Sequence, residues 1–154
     1  TPIKSSAASD VYKRQMQYKR YMGLDYGKAR IGIAFSDLTC TIANADRVYK
    51  CKGQEEDIKF LTNLAKEKDV GFIVIGLPLN ADGTESEMSK YVQNFGQALF
   101  EYSQIKVFYQ DERYTSFEAE EYLKEAKLSW EKRKELLDKV SAQIILQNYL
   151  DERK

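Results

Sequence analysis

Tyr21-Met22-Gly23-Leu24-Asp25-Tyr26-Gly27-Lys28-Ala29-Arg30-Ile31-Gly32-Ile33-Ala34-Phe35-Ser36-Asp37 reads as two strands joined by a tight turn at Tyr26-Gly27-Lys28. Strand side chains alternate between faces, so Tyr21, Gly23 and Asp25 share one side while Met22, Leu24 and Tyr26 share the other. The second strand repeats the asymmetry, with Ile31, Ile33 and Phe35 opposed to Gly32, Ala34 and Ser36. One face is bulky and the other nearly bare. A carboxylate beside glycines and alanine, in an otherwise apolar hairpin, suits a place where another group approaches the backbone closely.

Working outward, Ala45 to Lys50 reads as a third short strand, closed by the polar break Lys52-Gly53-Gln54. Ile58, Leu61, Leu64 and Ala65 recur at helical spacing and predict a helix ending near Asp69. Val70 to Ile75 is an apolar run rich in β-branched residues, the pattern of a strand covered on both faces, and it stops at Gly76-Leu77-Pro78. Thr84-Glu85-Ser86-Glu87 reads as a capping box with Thr84 as the cap, opening a helix whose stripe is Met88, Val92, Phe95, Leu99 and Tyr102. Ile105 to Tyr109 is the next strand. A second box, Thr115-Ser116-Phe117-Glu118, opens a helix running to about Ala126, and the last helix starts near Ser129-Trp130. Three strands in a meander, then helix, strand, helix, strand, helix, helix, predict an α/β fold. Its core is one mixed five-stranded sheet with helices on both faces.

A chain of 154 residues is long enough for one domain with its own core. Lysine plus arginine equals aspartate plus glutamate at 24 each, so a polyanion site must be a local patch or be built by bound cations. Histidine is absent, which excludes the histidine-based triad and most zinc or iron sites. Cys40 and Cys51 fit no metal spacing and read as reduced thiols of a cytosolic protein. No apolar run approaches the ~20 residues of a membrane span, and the N-terminus lacks the hydrophobic segment of a signal peptide. The expected location is therefore the cytoplasm, with no membrane partner. Residues 1–19 are polar and non-periodic and read as a disordered tail or a remnant of sequence assembly, leaving residues 20–154 as the domain. No long apolar helix face demands a partner, so a monomer or weak homodimer is expected.

Without histidine, carboxylates and the hard cations they hold remain for demanding chemistry. Three acids sit at element ends or on an apolar stripe. Asp25 ends the first strand, Glu112 with Asp111 follows the last strand, and Asp138 lies in the final helix. Asp138, Ala142, Ile145 and Tyr149 fall within about 40° of one another on a helical projection, so this acid should face the sheet. Ligands of open α/β sheets bind at strand ends, where the first two acids can meet beneath the third. Carboxylates at close range repel unless divalent cations lie between them. Mg²⁺ or Mn²⁺ on such a cage, as two ions ~4 Å apart, would support phosphodiester hydrolysis. Taken singly, each acid also has an ordinary reading: a hairpin residue, an ion-paired loop, or an acid favoured by the helix dipole. Their joint placement favours a site.

Four motifs at these residues resemble the YqgF/RuvX proteins, a family described as pre-16S rRNA nucleases or Holliday-junction resolvase-like proteins. They are Gly23-Leu24-Asp25-Tyr26-Gly27 with Arg30-Ile31-Gly32-Ile33-Ala34, Gly76-Leu77-Pro78-Leu79-Asn80 with Asp82-Gly83, Asp111-Glu112-Arg113-Tyr114-Thr115, and Asp138-Lys139-Val140-Ser141-Ala142 with Ile145-Leu146-Gln147. The resemblance covers roughly residues 21 to 151. It implies an RNase H-like fold, catalytic and metal-binding positions at Asp25, Glu112 and Asp138, and a role in maturing the 5′ end of 16S ribosomal RNA. Lys28, where many relatives have a small hydroxyl residue, and Ser141, where alanine is usual, depart from the pattern.

Basic residues flank the acids, and nucleic-acid contacts are expected from Lys28, Arg30, Arg113 and Arg133, with Asn80 and Thr115 as further candidates. The competing view of these charges is plain solvation, and of Asn80 and Thr115, loop shaping. The reading that follows is a metal-dependent nuclease acting on precursor ribosomal RNA rather than branched DNA. Its rivals are a non-catalytic nucleic-acid-binding module of the same fold and a DNA junction resolvase. An actin-like or sugar-kinase ATPase, suggested by Asp25-x-Gly27, needs a second such domain that this chain is too short to supply.

Overall fold

The computed structural model describes residues 19–113, 121, 124 and 129–153. The opening hairpin forms as expected from β1 (Arg20–Tyr26) and β2 (Arg30–Ser36), with Met22 opposite Phe35 and Tyr26 opposite Ile31. The elements that follow are β3 (Ala43–Lys50), α1 (Gln54–Glu67), β4 (Val70–Leu77), α2 (Glu87–Ser103), β5 (Lys106–Asp111) and α3 (Trp130–Glu152). The sheet order is β3-β2-β1-β4-β5, antiparallel through the meander and parallel from β1 to β4 to β5. This is the mixed five-stranded sheet anticipated from the sequence. The C-terminal ends of β1, β4 and β5 therefore lie along one margin. The expected tail and the helix opened at Thr115 fall outside the described residues, apart from Lys19, Glu121 and Lys124.

Helices cover both faces. Met22, Leu24, Ile31 and Ile33 on the bulky face pack with Ile58 and Leu61 of α1 and with Val92, Phe95 and Leu99 of α2. The bare face receives α3, whose Ala142, Ile145, Leu146 and Leu150 pack with Tyr21, Ala34 and Val74. Among the described residues no helix is long and apolar enough to cross a membrane. Cys40 and Cys51 are both free and half-buried.

Two local expectations are corrected. Ser86, not Thr84, caps α2: its side chain accepts from the Ser89 amide at 2.9 Å, and its own amide donates to the Ser89 hydroxyl at 2.9 Å. Thr84 is held within the preceding loop, since its amide and hydroxyl both donate to Asp82 Oδ1, at 3.0 and 2.6 Å. Tyr102 does not continue the buried stripe and is 55% exposed, whereas Gly96 and Ser89 lie on the buried side of α2.

Gly23 sets how closely α3 lies on the sheet. A Cβ there would stand 2.6 Å from Leu146 Cβ and 3.2 Å from the Ala142 carbonyl oxygen, neither of which can turn aside. Gly23→Ala is expected to cost about 1–3 kcal/mol through overpacking. The thermal midpoint, followed by circular dichroism, should fall by about 2–4 °C for each kcal/mol of stability removed.

Candidate active site at the strand ends

Asp25 is the penultimate residue of β1 and is half-buried. On the far side of β4, the chain leaves β5 at Asp111 and places Glu112 immediately after it, with the Glu112 amide donating to the Leu77 carbonyl at 3.1 Å. A whole strand separates the two acids in the sheet. Gly76 of β4 removes that obstacle, because a Cβ there would meet Glu112 Oε2 at 2.8 Å and Ile145 Cδ1 at 2.5 Å. The Glu112 carboxyl thus lies across the bare backbone of β4, under α3 and toward Asp25. Burial raises its pKa from an ordinary 4.5 to about 8, and the charges of Asp25 and then Asp111 add to that effect.

Asp138 lies in α3, seven residues, or about two helical turns, before Ile145. Its side chain is outside the described residues, and among those residues no group of three potential metal ligands is present.

The surrounding loops are tied together by short polar contacts. Arg113 donates from its amide and Nε to the two oxygens of Asp111, at 3.0 and 2.8 Å, and from a terminal nitrogen to the Ala81 carbonyl at 3.2 Å. It therefore pins the end of β5 to the loop between β4 and α2. Within that loop the Asn80 amide nitrogen donates to Thr84 Oγ1 at 3.0 Å and to the Glu85 carbonyl at 3.2 Å. Gly83, at φ 88°, closes the turn by donating to the Asn80 carbonyl. The Asn80 side chain thus shapes the loop through its amide nitrogen. At the hairpin turn, Lys28 lies 5.1 Å above the ring of Tyr91, which in turn stacks on Tyr26. Arg30 opens β2 and is exposed, and Arg133 sits half-buried in the first turn of α3. Thr115 is outside the described residues.

The family model for RuvX, described as a Holliday junction resolvase, matches residues 19–152. The chain belongs to the RuvX family. A protein of Syntrophomonas wolfei named "Putative pre-16S rRNA nuclease" is 47% identical over 86% of this chain and 94% of its own length. A protein of the same name from Thermoanaerobacter pseudethanolicus is 42% identical over 88% and 98%. Among solved structures, the Thermus thermophilus RuvC complex with a Holliday junction substrate superposes with a TM-score of 0.57 at 9% identity, covering 88% of this chain and 95% of that one. The fowlpox virus resolvase bound to Holliday junction DNA gives 0.54 at 13% identity, covering 87% and 98%. These two likenesses establish the RNase H-like fold of the RuvX-family chain.

The sequence pattern brings Asp25 and Glu112 to a common sheet margin but marks Gly76 only as the end of a strand. A glycine inside an apolar strand is itself a sign of close approach, and it was the available clue. Ile145, which presses on this margin, falls on the sheet-facing stripe that the spacing of the last helix predicts, whereas the tie between Asp111 and Arg113 carries no separate signal. The raised pKa of Glu112 has a measurable consequence for the metal-free protein. The folded state holds this proton more tightly than the unfolded chain, so the stabilisation is complete below the ordinary carboxylate range and is lost as pH climbs through about 8. In chelator-containing buffer the thermal midpoint should decline between those limits in wild type, and Glu112→Gln should flatten the decline.

Proposed function

We propose that this chain is a divalent-metal-dependent nuclease that hydrolyses RNA phosphodiesters in the 5′-end processing of precursor 16S ribosomal RNA. Its catalytic and metal-holding acids are Asp25, Glu112 and Asp138. The observation that carries the reading is Glu112 reaching across Gly76 to stand where the Asp25 charge raises its proton affinity. Two partly buried carboxyls in repulsion form an all-oxygen donor set, which fits a hard cation such as Mg²⁺ or Mn²⁺. Asp25 and Glu112 would hold it from the sheet and Asp138 from α3. Bound there, the ion supplies activation of the attacking water and stabilisation of the leaving oxygen.

The protein's own contribution is rigid placement. Asp25 is fixed by the β1 ladder, and Glu112 is held between β4 and α3. Lys28, Arg30, Arg113 and Arg133 are assigned to backbone phosphates, with Asn80 and Thr115 on adjoining loops. The names of the relatives favour a ribosomal precursor, and processing of that substrate belongs in the cytoplasm. The junction-bound structural neighbours and the family's description make branched DNA the second reading. The chain would act as a monomer or a weak homodimer.

Asp25→Asn should lower cleavage of a precursor ribosomal RNA by at least about a hundredfold, the scale on which single catalytic groups act. Its thermal midpoint should hold or rise, because a charge opposing Glu112 ionisation is gone. A chelator should abolish wild-type cleavage, and Mg²⁺ or Mn²⁺ should restore it. Equal cleavage by the variant, or none by wild type with either metal, overturns the proposal. A four-way DNA junction run in parallel decides between substrates, and RNA binding without cleavage would favour the binding-module alternative.

A further inference from the structure

We infer that the groove between edge strand β3 and helix α1 is a second nucleic-acid contact, which takes an unpaired nucleotide of a substrate strand that passes over the end of the sheet from the acidic centre. The inference rests on the nucleic-acid reading of the site, and it adds the form of the substrate: a single-stranded segment must pass over the β2–β3 end of the sheet.

The groove has a volume of about 510 Å³ and an aromatic floor of Tyr49 and Phe60. The two rings stack with centroids 4.2 Å apart and planes 10° apart. Burial, and next the nearby carboxylate of Asp57, raise the pKa of the Tyr49 phenol, so Asp57, which is 2% exposed, backs the ring from below. Asp57 also accepts from the Lys52 amide at 2.9 Å, which ties the rim of the groove to the same buried anchor. A half-exposed aromatic surface whose orientation is already set offers a base a stacking partner with little ordering left to do.

The rim is cationic. Arg47, Lys50, Lys52 and Lys59 line it, against the single acid Glu56. Arg47 is paired with Asp46 at 2.5 Å and Lys59 with Glu55 at 3.2 Å, so these two are largely offset. Lys50 and Lys52 are exposed or half-exposed and have no ion-pair partner among the described residues. The segment from Arg47 to Gly53 contains no acid at all. Lysines at the surface over an aromatic floor meet phosphates and bases together, a combination suited to single strands rather than to duplex, whose bases are already stacked.

The groove and the candidate active site meet the same end of the sheet from opposite faces: Tyr49 is the register partner of Ile31 on the face covered by α1, whereas Asp25 and Glu112 lie on the face covered by α3. Lys50 is the register partner of Arg30, and the Cys51 amide donates to the Ala29 carbonyl at 2.9 Å, joining the rim to the hairpin turn. Asp25 pairs with Gly32, two residues along from Arg30. β3 lies two strands from β1, a lateral distance of about 10 Å. That lateral step alone is about three stacked nucleotides at the rise of one strand, and turning over the end of the sheet to its other face takes more.

The test is the double variant Lys50→Glu/Lys52→Glu, assayed by fluorescence anisotropy with a short labelled single-stranded RNA in chelator, over a salt series. Affinity should fall about tenfold. The slope of log affinity against log salt should shrink by about 1.4, at about 0.7 for each phosphate no longer neutralised on a single strand. RNA carrying 4-thiouridine should photo-cross-link to Tyr49 or Phe60 in wild type. An unchanged affinity and slope, absence of single-strand binding by wild type, or cross-links confined to other elements would each overturn the inference. Lys50→Gln/Lys52→Gln, with the thermal midpoint measured alongside, gives the same direction if the charge reversal disturbs folding. Because these measurements use no cleavage, a wild type that binds but never cuts with metal defeats the nuclease reading and leaves the groove standing.

Discussion

Close approach of α3 to the sheet is possible only where β1 and β4 present backbone instead of side chains. Gly23 admits Leu146 and the Ala142 carbonyl, and Gly76 admits both Ile145 and the carboxyl of Glu112. Interiors packed at crystal-like density transmit a displacement of even one methyl group. A helix standing further off would unroof Glu112, lower the burial that shapes its proton affinity, and carry Asp138 away with it. The packing of one face of the hairpin and the chemistry of the strand ends are thus a single constraint.

The molecule answers that constraint with opposed electrostatics. Its total charge is balanced, yet Asp25, Asp111 and Glu112 gather at one margin of the sheet. Asp111 is neutralised locally by Arg113, which also braces the loop carrying Asn80 and Gly83. Glu112 is instead governed by burial, Asp25 and Asp111, all of which favour its protonated form. Such a pair is held in readiness by the fold and not relaxed by it. Cations lie on the rim, at the hairpin turn and along β3, where they can meet a polyanion without quenching the acids.

Most of the architecture was legible because the local rules agree with one another. Alternation in β1 and β2 separates a bulky face from a bare one, and both become packed layers. The apolar run at Val70 marks a buried parallel strand, and Ser129 marks the start of α3, where its side chain accepts from the Lys132 amide. Local patterns mislead where two residues compete for one role. Thr84 and Ser86 are both good caps, and Asp82 decides between them by engaging Thr84 first. Tyr102 has the right spacing for the buried stripe of α2 but lies exposed near the end of that helix.

The sequence by itself determined the described elements, their order and the sidedness of the hairpin, and singled out three acids as candidates, because periodicity, alternation and motif spacing act within short stretches of chain. Only the tertiary structure decided that Glu112 crosses β4 at Gly76, that Arg113 ties β5 to the loop before α2, and that Tyr49 and Phe60 form a lysine-rimmed floor near the same margin. Each of these depends on groups brought together from separate strands and helices. Their contacts depend on register and on how closely layers pack, and no local pattern encodes either quantity.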